Sequence, residues 1–271
     1  VGLRPPETQD PRGPSCRRSQ LRAGAGAFVF AALVISGCTV LSGCTAPQPM
    51  MLGGRTTPRD RVDLGVGAAA RIPLGDLQPP EAPTAGEQVL HYAESGGIAE
   101  SAWGRWGVAD DWDLGLFVSG SVVRLETIGE LRLSPFMRLI GGVMPYGGYA
   151  RADVPDPVSA TTRTTEGWRV GALAPIAIGI EAGGVFEGWL GARVGFEHAD
   201  GSFGPAEMRT SGALTAFRGG LVLGLGLGLR RVHVLIELAA DYEYWRGGLG
   251  EDDVERHGVA LTPGFAIRLR L

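Results

Sequence analysis

The sequence predicts an all-β chain: a single antiparallel up-and-down transmembrane β-barrel of about ten strands, with eight as the runner-up. Three observations carry this. From residue 60 onward, run after run alternates apolar and polar residues with period two, and helical periodicity is almost absent. The clear runs are 11 to 18 residues long, against five or six for an ordinary soluble strand. The face opposite the apolar one is crowded with glycine, of which the chain has 44, as suits a narrow interior.

In chain order, the runs are 62–73, 98–108, 112–123, 130–139, 142–151, 168–181, 185–197, 213–230, 232–244 and 259–271. The last is the clearest: Val259, Leu261, Phe265, Ile267, Leu269 and Leu271 share one face, with Arg268 and Arg270 on the other. In 213–230, Phe217, Leu221, Leu223, Leu225, Leu227 and Leu229 oppose a face of mostly Gly and Ala. The weakest run is 142–151, and an eight-strand barrel would fold it into a loop. Ten strands make the connections alternate. Those around 74–97, 152–165, 198–211 and 246–255 are long; those at 109–111, 140–141, 182–184 and 230–231 are tight; 124–129 alone breaks the order as a short loop on the long-loop side. An even count is what a closed single-chain bacterial barrel requires.

Alternation alone does not say which face meets water. A soluble sandwich turns its apolar face inward, and a membrane barrel turns it outward. Run length, the glycine-lined face and aromatics near run ends on the apolar face favour the second. The girdle candidates are Trp112, Trp168, Phe196, Tyr242 and Tyr244.

The inward face then carries nine acids and ten arginines, so ion pairing across the lumen is expected instead of a strongly charge-selective ring. The network is expected to include Asp63, Arg218, Glu237, Asp241, Glu243, Arg268 and Arg270. A tight turn at 230–231 sets Arg218 opposite Glu243, and closure of first strand on last brings Asp63 to Arg270. No catalytic, metal or cofactor site is expected. His233 and Asp241 share a face but lie eight residues, roughly 26 Å, apart along a strand. His198-Ala199-Asp200 is the nearest approach to an acid–base pair, and it reads as solvated surface. "VLGLGLG" at 222–228 has strictly alternating glycines and no helix after it, so it is no phosphate loop.

The basic residues are all Arg and the net charge is −4, which gives no support for nucleic-acid binding. The three cysteines, Cys16, Cys38 and Cys44, fall in the first 44 residues, so the body has neither disulfide nor thiolate site. "CRRSQLR" followed by "AGAGAFVFAALVISG" has the layout of a secretory signal. Leu41-Ser42-Gly43-Cys44 resembles the bacterial lipobox, as does Ile35-Ser36-Gly37-Cys38. That resemblance implies acylation at Cys44, with Cys38 as the alternative; a plain signal peptide or uncleaved anchor is the other reading. The expected organisation is a signal peptide over 1–43, a lipidated linker over 44–60 and a barrel over 61–271.

Together the signal-type N-terminus, the period-two runs and the alternating C-terminal run resemble bacterial outer-membrane β-barrel proteins. The resemblance implies a Gram-negative outer membrane, with membrane lipid and the barrel-assembly machinery as partners. Its members usually end on an aromatic residue, whereas this chain ends "AIRLRL". It implies a structural or surface-interaction role; a narrow diffusion channel is the alternative, with a soluble lipid-binding barrel or an outer-membrane hydrolase behind it.

Overall fold

Each strand turns one row of side chains toward an enclosed interior and the other outward, and closure of the sheet leaves no edge. The computed structural model describes residues 47–78, 97–155, 162–204, 210–229, 231–249 and 252–271. Ten antiparallel strands close into one barrel: β1 (Val62–Leu74), β2 (Gly97–Ala109), β3 (Trp112–Ser119), β4 (Val122–Arg132), β5 (Met137–Pro155), β6 (Thr162–Ala182), β7 (Phe186–Gly204), β8 (Thr210–Leu229), β9 (Val232–Leu249) and β10 (Asp252–Arg270). Neighbours in sequence are neighbours in the wall, and β1 closes on β10 with Asp63 opposite Arg270. The ten-strand reading is therefore the right one. The expected signal, with Cys16 and Cys38, lies outside the described residues, as does Cys44. The stretches 152–165, 198–211 and 246–255, expected as long loops, are largely strand instead: β5, β7 and β9 run on to Pro155, Gly204 and Leu249 before β6, β8 and β10 begin.

The wall is uneven. From β5 to β10 the strands run 18 to 21 residues, while β3 has 8 and β4 has 11. Two sequence expectations fail at this low side. The run 112–123 is broken by a hairpin turn at Gly120–Ser121, where Gly120 has φ +52, and 124–129 is strand instead of loop. The next turn lies at 133–136, not 140–141, so 130–139 spans the end of β4 and the start of β5. Tight connections at 110–111, 133–136 and 183–185, and the closeness in sequence of the end of β8 at Leu229 to the start of β9 at Val232, mark the turn end of the barrel, where β1 starts and β10 finishes.

The outward row is mostly apolar around the circumference, with the exposed Glu100 on β2 as an exception. On β8, Leu221, Leu223, Leu225, Leu227 and Leu229 are exposed, and the facing rows of β7 and β9 expose Leu190, Val194, Val234, Ile236 and Leu238. The inward row holds the charges, almost all of them buried. The bare inner face of β8 has a packing reason. A Cβ at position 224 would lie 2.0 Å from the Trp189 ring, and one at 226 would lie 2.4 Å from the Glu187 side chain. Glycine there makes room for large groups projecting from β7.

Candidate functional site: the occupied lumen

Of the expected linker, residues 47–57 lie inside the barrel. Before β1, the chain crosses the turn-end rim and runs into the lumen, where Met50, Met51 and Leu52 are 0 to 2% exposed. The crossing is a close one. Asp60 N–H donates to the Gly107 carbonyl at 2.9 Å, and a Cβ at 107 would sit 2.1 Å from the Pro58 carbonyl oxygen. Only glycine lets the two backbones pass this closely.

An enclosed strand with no ladder partner must satisfy its amides and carbonyls by other means. Here charged side chains of the wall do so. Five amides meet four carboxylates: Met50 and Met51 donate to Glu237 at 2.5 and 2.7 Å, Gly54 to Glu187 at 3.0 Å, Thr56 to Glu130 at 2.7 Å and Thr57 to Asp113 at 2.9 Å. The carbonyls meet cations and a hydroxyl. Arg105 donates to the carbonyls of Met50, Met51 and Leu52 at 2.8, 2.7 and 3.4 Å, Arg124 to Pro49 at 2.8 Å, Arg193 to Gln48 at 2.8 Å and Ser119 to Pro47 at 3.0 Å. Met51 has φ +45, which turns two successive amides toward the one carboxylate in the manner of an anion-binding nest.

Around the segment the charges form three tiers. At the turn end, Arg270 reaches Asp63 at 3.5 Å, Glu181 at 3.2 Å and Glu187 at 3.3 Å; Arg268 and His233 also bond Glu187, and Arg55 of the segment bonds Glu181 at 2.9 Å. At mid-height Glu126 takes Arg105 at 2.6 Å and Arg124 at 2.7 Å, while Asp241 takes Arg193. Toward the loop end, Glu243 accepts from Arg71 at 2.6 Å and from Trp245 at 2.8 Å. Glu197 there accepts from Arg218 at 3.1 Å and Tyr146 at 2.6 Å. Between the tiers an apolar cluster of Trp103, Phe117, Ile128, Ile140, Met144 and Trp189 packs with Met50, Met51 and Leu52.

All seven expected network residues face this interior, and Asp63 and Arg270 do meet. Arg218 and Glu243 are register partners, yet the guanidinium turns to Glu197 on the other flanking strand and Glu243 is taken by Arg71. Arg132, which the alternation of the run 130–139 would turn inward, is exposed at the turn and donates to the Ser134 carbonyl. Three participants escaped the sequence reading: Arg124, Glu126 and residues 47–57 themselves. The apolar triplet Met50-Met51-Leu52 followed by Gly53-Gly54 was the available signal, since a solvated tether has no use for it.

On the outside, Trp168, Phe196 and Tyr242 are exposed and Tyr244 is half-buried. They join Tyr149 and Phe217 in one band across β5 to β9: Tyr149 is paired with Trp168, and Phe217 with both Phe196 and Tyr244. Trp112 stands apart at the turn end, in the neighbourhood of exposed Trp106 and Phe136. His198 lies against the Trp168 ring, its Nδ1 3.2 Å from the Thr215 hydroxyl.

Solved structures with a similar chain path are outer-membrane barrels. The outer membrane protease OmpT of Escherichia coli matches with a TM-score of 0.42 at 8% identity, over 80% of this chain and 98% of that one. The translocator domain of the autotransporter NalP from Neisseria meningitidis matches at 0.38 and 9%, over 93% and 97%. Ail, the attachment invasion locus protein of Yersinia pestis, matches at 0.32 and 13%, over 79% and 99%. Likenesses this distant assign no family and no activity. No family model and no curated protein matches the chain.

Proposed function

We propose that this protein is an outer-membrane β-barrel of a Gram-negative bacterium with a structural or surface-interaction role, and that its lumen is closed by its own residues 47–57. The observation that carries the reading is the bonding of that segment: its amides and carbonyls engage charged groups from both sides of the wall, so it crosses the described lumen instead of lining one side of it. A narrow diffusion channel would leave those groups to ions and water. Membrane insertion is supported by the largely apolar outward row, because exposing that much apolar surface to water is unfavourable and lipid removes the penalty. The band from Tyr149 to Tyr244 and the turn-end group of Trp106, Trp112 and Phe136 lie outward toward opposite ends of the wall, in the manner of the two aromatic girdles of such a barrel.

In this reading the N-terminal signal exports the chain, the barrel-assembly machinery inserts it, and the end opposite the turns, where the hairpins of β5 to β10 extend furthest, faces the cell exterior. Acylation at Cys44, or at Cys38, is part of the proposal; fatty-acid labelling of wild type against Cys44→Ala tests it. Closure is tested in planar bilayers. The refolded full chain is expected to give no discrete openings at modest voltage, and steady ohmic conductance would refute the closed lumen. Heat-modifiable gel migration after detergent extraction checks the barrel independently.

A further inference from the structure

The luminal segment is recognised as backbone. Among the described residues, the one ion pair it makes through a side chain is Arg55 with Glu181. The Gln48 side-chain amide is enclosed, at 4% exposure, with no hydrogen-bond partner. Glu237 is 1% exposed and makes no ion pair among the described residues; its partners there are the Met50 and Met51 amides and the Trp189 indole N–H at 2.9 Å. A buried carboxylate in that position is satisfied only while a peptide backbone is present. Arg105 likewise reads three successive carbonyls.

Shape adds selectivity. Gly53 has φ +76, and a Cβ at position 54 would lie 2.2 Å from the Ile180 carbonyl oxygen, which belongs to the wall and does not yield. Two adjacent glycines are therefore required of whatever occupies this place.

From these contacts we infer that the lumen is a binding site for an extended peptide, selected by backbone hydrogen bonding and a Gly-Gly pair, and that a peptide supplied in trans takes the place of residues 47–57. The inference rests on the closed-lumen reading and goes beyond it, because it makes the closure exchangeable and names the ligand class.

The test uses the full chain carrying Gly54→Leu, which unseats the resident segment and leaves the wall intact. After refolding in detergent, with the barrel verified by heat-modifiable migration, a fluorescent peptide of sequence PQPMMLGGRTT is titrated by anisotropy. It is expected to bind this chain at least about tenfold more tightly than wild type, and at least about tenfold more tightly than a peptide with leucine at the second glycine. Adding Glu237→Gln is expected to weaken binding by about tenfold, the scale of a charged hydrogen bond. Equal affinity for the two peptides, or indifference to Glu237→Gln, overturns the inference.

A second measurement does not depend on Gly54→Leu folding. The Pro49 Cβ lies 3.2 Å from where a Cβ at 264 would be, close to disulfide spacing. In a chain with Cys16, Cys38 and Cys44 replaced by Ser, the pair Pro49→Cys and Gly264→Cys is expected to oxidise on refolding. Excess peptide during refolding is expected to lower the disulfide yield severalfold. An unchanged yield sinks the exchangeable site alone; no disulfide at all sinks the closed lumen as well.

Discussion

The wall and the segment it encloses satisfy the same backbone groups by different means. In the wall, amide meets carbonyl along ten ladders, and side chains decide only which face is wet. In residues 47–57, amides meet carboxylates and carbonyls meet guanidinium groups, with side chains of the wall standing in for neighbouring strands. The outward row of the wall is thus tolerant of exchange among apolar residues. The segment depends on individual charges, since a buried group deprived of its partner costs about 1–3 kcal/mol or more.

That contrast is broken most severely from the outside. Leu223, exposed midway along β8 and flanked in register by Leu190 and Leu238, faces lipid in the proposed membrane. Leu223→Arg is expected to destabilise the barrel by about 2–4 kcal/mol, read as a lower urea midpoint in lipid vesicles, with the lumen still closed in any molecule that folds. Next in size, Gly224→Leu points the other way, into Trp189 at 2.0 Å. Overpacking there costs about 1–3 kcal/mol. Because Trp189 donates to Glu237, the expected sign is transient conductance in planar bilayers from a barrel that remains heat-modifiable. Silence together with an unchanged midpoint would show that the segment is not coupled to this contact. The smallest effect is expected at the rim. Arg59 and Asp60 lie 3.9 Å apart and are both exposed, so Asp60→Asn should leave the midpoint unchanged, exposed pairs contributing little. Asparagine also tolerates the φ of +61 found there.

How much of this was legible varies around the barrel, and the low side shows why. On β7 to β10 the outward row is apolar and the inward row is Gly or charged, so period two is plain. On β3 and β4 the inward row includes Phe117, Val122 and Ile128, all buried against the luminal cluster. Both faces are then apolar, the alternation loses contrast, and the turn at Gly120–Ser121 passes unnoticed. Arg124 and Glu126 were lost with it, being assigned to a loop. The segment's presence thus obscured the strands that receive it. Residues 47–57 have no period of their own to detect, because their conformation is imposed by backbone hydrogen bonds to eight positions on β2, β3, β4, β7 and β9.

By itself the sequence determined the all-β class, an even strand count, the facing of most side chains and the closure of Asp63 on Arg270. Those follow from the two-residue repeat of a strand and from chain connectivity, both local properties. Only the tertiary structure decided which charges meet and what fills the interior. Several acids and arginines at one height face one another across a narrow lumen, and no spacing along the chain ranks those pairs. Arg218 therefore turns to Glu197 and leaves Glu243 to Arg71, and Glu237 is left for the two amides of Met50 and Met51.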